Sequence, residues 1–177
     1  MKTVLITTLL LIATSAVNAQ QWCTQQYNPK YGLIGDPADS PDYGKQYTMY
    51  FYGTAKSISE DIRGVTKIYK VTFTNYDGDK LMPSREIAQP LKKDIGEWLK
   101  NNYTNEKSFR GHSFGDVYIS YCLNLSDLQE NYQKLLDDAK KRNLKTVVFK
   151  SLKPKPVTYT PSAKGVGEQT VTFDETE

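Results

Sequence analysis

Hydrophobic and polar positions recur with two different periods along this chain, and the switches between them mark out the elements. Residues 46–55 are rich in aromatic and β-favouring side chains. Val65, Tyr69, Val71 and Phe73 are then set against Thr66, Lys70, Thr72 and Thr74 at the spacing of a half-buried strand. Two strands are expected, joined by a polar connection over 57–64 and closed by the turn-forming Asn75-Tyr76-Asp77-Gly78. From Ser84 to Asn102 the period lengthens. Leu91, Ile95, Trp98 and Leu99 fall within one arc at helical spacing, with Lys93, Glu97 and Lys100 opposite. Pro90 is expected in the first turn of this helix, leaving 83–89 as a separate turn or a kinked entry.

Alternation returns at 114–123, where Val117, Ile119, Tyr121 and Leu123 share one face and Asp116, Tyr118, Ser120 and Cys122 the other. Ser126 opens a Ser-x-x-Gln capping box that ends at Gln129, and Leu128, Tyr132, Leu135, Leu136 and Ala139 form the buried stripe of a second helix. Lys140, Lys141 and Arg142 complement its C-terminal dipole, and Asn143 is suited to close it. A fourth strand is expected over 144–150. A strand, helix, strand succession implies a crossover, hence a parallel pair or a split arrangement in the sheet.

The expected fold is therefore α+β: a single small domain over residues 20–150, with a mixed or antiparallel sheet of about four strands and two amphipathic helices packed on it. After Phe149 the composition shifts. Lys153-Pro154-Lys155-Pro156 and Thr160-Pro161 favour an extended, semi-detached tail over 151–177. Within it, 157–160 and 169–173 flank a Gly165-Val166-Gly167 turn, the pattern of an edge hairpin, with disorder as the alternative.

The first nineteen residues stand apart. Lys2, a charge-free and largely apolar run from Val4 to Ala13, and the exit Val17-Asn18-Ala19 have the layout of a secretory signal peptide cleaved after Ala19. A secreted or periplasmic protein is expected, with no membrane span, because the run is too short to cross a bilayer and no second apolar segment follows. Gln20-Gln21-Trp22 lacks the small and aliphatic residues that would mark Cys23 for lipid attachment. In an oxidising compartment the two cysteines, Cys23 and Cys122, are expected to form a disulfide. Closing so long a loop restricts the unfolded chain by about 4–5 kcal/mol in the simple entropy model. Asn102-Tyr103-Thr104 and Asn124-Leu125-Ser126 fit the N-glycosylation pattern. The formal charge of +3 falls to +2 without Lys2, and with both signs interspersed no basic stripe for nucleic acid is formed.

Candidate chemistry is sparse. His112 is the sole histidine, which excludes multi-histidine metal sites and mechanisms needing two imidazoles. Arg110-Gly111-His112-Ser113 could place a base beside a hydroxyl, with Asp116 orienting it. Neighbours in sequence diverge on extended backbone, however, so His112, Ser113 and Asp116 are weak catalytic candidates. Asp94 and Glu97, one helical turn apart, are read as a solvated helix face rather than a glycosidase pair. Asn75, Asp77 and Asp79 are read as a solvated turn, because they lack the spacing of a calcium loop: Phe73 and Ser84 fall where carboxylates are required. No nucleotide loop, nucleophile elbow or Cys-x-x-Cys pair is present, so neither a cofactor nor a metal is expected.

Thirteen tyrosines and turn-rich flanks instead suit a surface that binds. The expectation is a protein-binding module with a protein partner, of the inhibitor or immunity type against an envelope-directed enzyme. Its candidate contacts are Tyr31, Asp36, Asp39, Asp42 and Tyr43 in the turn-rich segment 27–45, with Arg110 and His112 in the later loop. The alternatives are a small secreted hydrolase using His112 and an envelope or matrix component tethered by its Pro-Lys tail.

Overall fold

The computed structural model describes residues 37–57, 62–77, 82–102 and 114–176. Residues 1–19, expected to be a signal peptide, and Cys23, Tyr31, Asp36, Asp79, Arg110, His112 and Ser113 lie outside the described residues. A short 3-10 turn at Pro37–Asp39 precedes β1 (Gln46–Ser57), β2 (Ile62–Val65), β3 (Tyr69–Thr74), α1 (Met82–Asn102), β4 (Phe114–Cys122), α2 (Leu125–Lys141), β5 (Lys145–Val148), β6 (Val157–Tyr159), β7 (Gln169–Val171) and β8 (Asp174–Glu175).

β1 is the axis of a mixed sheet. Along one edge it pairs antiparallel with β4, from Tyr50 opposite Cys122 to Ser57 opposite Phe114. Its other edge is served first by β3, opposite Gln46 to Phe51, and then by β2, opposite Thr54 to Lys56. β5 joins β2 in parallel and β8 joins β3 antiparallel, which makes six strands among the described residues where about four were expected. The parallel β2/β5 pair is the product of the β4–α2–β5 crossover. An α+β domain with two helices on a mixed sheet is thus present, with the helices on opposite faces.

The side-chain period of two divides β1 between two cores. Met49, Phe51 and Ala55 face α1 and pack with Ile87, Leu91, Ile95 and Leu99. Tyr52 faces α2 and packs with Cys122 and Leu128, its ring edge-on to that of Tyr132 at 5.0 Å. Gly53 lies on the α1 side, where a Cβ would collide with the Ile95 side chain.

Three local expectations need correction. α1 begins at Met82 and runs unbroken through Pro90, so the proline is internal rather than in the first turn. A mid-helix proline costs about 3 kcal/mol. The stripe it interrupts continues on both sides of it, with Ile87, Leu91 and Ile95 fully buried, and each such side chain returns about 1.5–3 kcal/mol. Packing therefore outweighs the break. At α2 the cap is Asn124 rather than Ser126: the Asn124 carboxamide oxygen accepts the Ser126 N–H at 3.0 Å, moving the helix start upstream by two residues. The far end closes as expected, with Asn143 left-handed at φ 57° and the N–H groups of Asn143 and Leu144 donating to the carbonyls of Lys140 and Ala139.

The third correction concerns the tail. β6 and β7 do form an antiparallel hairpin, but it is not semi-detached. Val157, Tyr159 and Val171 are buried in the α1-side core together with Phe149 and Leu152, and the Trp98 and Phe149 rings meet at 4.9 Å. The chain then returns through β8, and Thr176 donates its N–H to the Ile68 carbonyl at 3.0 Å.

β2 and β3 are one broken strand, and the break at 66–68 is built around Thr66. Its N–H donates to the Gly53 carbonyl, its hydroxyl accepts the Gly53 N–H, each at 2.9 Å, and its carbonyl accepts the Tyr132 hydroxyl at 3.0 Å. Thr66 is fully buried. Thr66→Val keeps the shape but strands the Gly53 N–H, and a loss of about 1–3 kcal/mol in urea unfolding is expected.

Burial also sets the alkaline limit of the domain. Desolvation raises Tyr159 to about 12, raises Tyr47 to about 12 with help from its bond to Asp42, and raises Tyr69 and Tyr132 as well. A tyrosine whose folded value lies above its unfolded value of 10.0 contributes stability that is intact below pH 10 and is lost as pH rises through the folded value. The melting temperature should therefore fall steeply between pH 10 and about 12. Tyrosinate absorbance should show a fraction of the tyrosines titrating only as the protein unfolds.

Candidate functional site

The two ends of β1 carry the side chains with chemical potential, and they are far apart. A twelve-residue strand spans about 40 Å at roughly 3.3 Å per residue. The turn-rich first segment enters at Gln46, opposite Thr74, whereas the later loop enters β4 at Phe114, opposite Ser57. Of the candidate contact residues, Asp39, Asp42 and Tyr43 thus belong to one end. Arg110 and His112 lie outside the described residues.

At the Gln46 end the first segment is clamped to the turn after β3. Asn75 is fully buried. Its backbone exchanges bonds with the segment, accepting the Gly44 N–H at 2.7 Å and donating to the Lys45 carbonyl at 2.9 Å, while its side chain donates to the Asp42 carbonyl. The Asp42 carboxylate accepts the Tyr47 hydroxyl at 2.7 Å and stands 3.7 Å from the Lys45 ammonium. Tyr43 meets Tyr76 edge to face at 5.5 Å. Asp77 reaches across to accept the Ser162 N–H at 2.6 Å, tying the tail to the same end. Asn75 and Asp77 are therefore fold-holding groups rather than a solvated turn. The sequence pattern hid this because the partners are 33 and 85 residues distant.

Asp94 and Glu97 also have a structural task. Asp94, 13 % exposed at its side chain, accepts the backbone N–H of Lys155 at 2.8 Å. The Lys155 ammonium lies 3.3 Å from Glu97 and 3.6 Å from Asp94, and its bond to Glu97 with the charges of both carboxylates holds it above the ordinary lysine value. The pair pins the Pro-Lys-Pro segment to α1. Among the described residues no group of three or more His, Cys, Asp or Glu side chains is placed to hold a metal.

At the Ser57 end the register assembles groups that the chain order concealed. Lys56 stands directly opposite Arg63, and Arg63 is in turn beside Thr146 of β5, all on the face that carries α2. The Arg63 Nε is buried and has no hydrogen-bond partner. Tyr118, on the neighbouring row opposite Thr54, is the most exposed of the large apolar side chains described, at 53 %. Residues 57–64 read as a connection because Ile62-Arg63-Gly64-Val65 is too short to show a period, and the signal for this site lies in the hairpin register. Cys122 is buried beneath α2. Asp116 lies on β4, described by its backbone alone.

These roles separate two residues of one loop. Asp42→Ala removes a charge-assisted bond to Tyr47 and should cost about 1–2 kcal/mol, whereas Asp39→Ala, on exposed 3-10 turn, should stay within about 0.5 kcal/mol. Thermal unfolding of both variants checks this. No family model matches the chain, and neither a curated protein nor a solved structure gives a significant match.

Proposed function

We propose that this chain is an exported, non-enzymatic protein-binding module that captures its partner by strand addition along β4, and that its concrete form is an inhibitor or immunity-type protein. The supporting observation is the asymmetry of the sheet edges. β4 is nine residues long, carries a single charged residue, Asp116, and no proline. Among the described residues it is paired along one edge only, with β1. The opposite margin is blunted: β5 is four residues long and begins with Lys145, and β8 is two residues, both acidic.

Proteins protect strand edges with charge, proline and brevity, because unpaired N–H and C=O groups recruit other chains. A long edge with almost none of these protections, bearing a half-exposed tyrosine, suits an extended partner segment. Backbone bonds would supply affinity and alternate side chains specificity. Tyr118 is the anchor in this reading, since aromatic side chains dominate binding energy where they become desolvated.

Capture from native envelope and secreted fractions, with the oxidised mature protein as bait, tests the reading. One stoichiometric enzyme whose activity falls on titration is expected. Tyr118→Lys should lower capture at least about tenfold while leaving the melting temperature unchanged; capture at parental strength would overturn the edge assignment. The Cys23–Cys122 bond is part of the same proposal, because export into an oxidising compartment supplies the chemistry for it. Peptide mapping without reductant should recover the two cysteines in one linked fragment, and an alkylatable Cys122 in the unfolded, unreduced protein would refute it.

A further inference from the structure

We infer that Asn124 is a modification site, and that the exported protein carries an N-linked oligosaccharide on its side-chain nitrogen. The inference rests on the export part of the reading above and is independent of how β4 meets its partner.

Asn124-Leu125-Ser126 supplies an acceptor amide and, two residues on, a hydroxyl. The fold adds how these groups are arranged. Asn124 is exposed and extended, at φ −108° and ψ 122°, where the chain leaves β4 and enters α2. Its carboxamide oxygen takes two donors from one residue, the Ser126 N–H at 3.0 Å and the Ser126 hydroxyl at 2.8 Å. The Nδ2 makes no hydrogen bond with a described residue. The helix thus uses one atom of the amide and leaves the other uncommitted. Capping accounts for Asn124 but not for Ser126, because an asparagine oxygen satisfies the first turn unaided. The Ser126 hydroxyl is spent on the acceptor amide itself.

That arrangement bears on reactivity. An amide nitrogen is a poor nucleophile because its lone pair is delocalised onto the carbonyl oxygen. Two donors on that oxygen stabilise the negative charge that gathers there as an N–H proton is lost, and so favour attack by Nδ2. Nδ2 forms a bond to the anomeric carbon of an oligosaccharide carried on a lipid diphosphate. The bond from that carbon to the phosphate oxygen breaks, the lipid diphosphate leaves with the electron pair, and Nδ2 gives up one proton. Both Ser126 contacts span only two residues, so they need no tertiary structure and are open to a chain that is still being exported. The sugar replaces a proton on the nitrogen alone, so the oxygen goes on accepting the Ser126 N–H. The cap therefore survives the modification, at a position the fold leaves exposed.

The test maps protein purified from native cells and their medium, digested with and without peptide:N-glycosidase in heavy-oxygen water. Position 124 is expected as heavy-labelled aspartate after the enzyme, with little bare asparagine before it. Ser126→Ala, made in the same cells, should lower that labelling at least about tenfold. Its melting temperature should not change, since residue 126 still donates its N–H to the cap, and Ser126→Thr should keep the label. A bare Asn124 in the parent protein, or undiminished labelling in Ser126→Ala, overturns the inference. The N-terminal peptide of the same digest separates this failure from that of the export reading. A chain that begins at Gln20 with a bare Asn124 removes the glycan alone, whereas retention of residues 1–19 with a bare Asn124 removes both.

Discussion

The domain depends on the reciprocal pairing of Gly53 and Thr66, in which each backbone N–H is bonded to the other residue. β1 is longer than either strand on that edge, so two partners must share it, and the handover between them needs a residue that keeps the ladder satisfied while the backbone leaves it. Thr66 does so with its hydroxyl. The same three-residue break exposes the Thr66 and Ile68 carbonyls to other elements, and these receive Tyr132 from α2 and Thr176 from beyond β8. One interruption in one edge thus connects the sheet, the second helix and the C-terminal strand.

The glycine is as necessary as the threonine. Only a residue without a Cβ lets Ile95 of α1 approach β1 at this point. Gly64 repeats the device one strand over, where a Cβ would enter the Phe149 ring. The α1-side core is therefore drawn close to the backbone of the sheet at two adjacent places. This close approach explains how the segment after β5, rich in lysine and proline, is held: Phe149 fills the space Gly64 leaves, Leu152 is buried in the same core, and Asp94 accepts the N–H of Lys155 further along.

Much of the architecture was legible from periodicity. The alternation of Val71 and Phe73 with Lys70 and Thr72, and the helical arcs of Leu91-Ile95-Leu99 and Leu128-Tyr132-Leu135, place strands and helices where the structure has them. What periodicity does not encode is pairing. Ile62-Arg63-Gly64-Val65 is too short to declare itself, so the opposition of Lys56 and Arg63 was invisible, and Asn75 and Asp77 looked like solvent-facing turn residues until their distant partners were in place. Pro90 misled for the complementary reason. Local preference argued for a helix start, and tertiary burial of Ile87 overrode it.

The return of the chain to Ile68 has a consequence for how the protein is made. The sheet edge at β3 and the carbonyl at the strand break are completed by residues 174–176, which lie 108 positions downstream of Ile68 in the case of Thr176. A nascent chain consequently holds the β3 edge and the strand break open until residues 174–176 have been made. Because contacts of such long range form late, more than a hundred residues must be in place before that edge of the sheet is sealed.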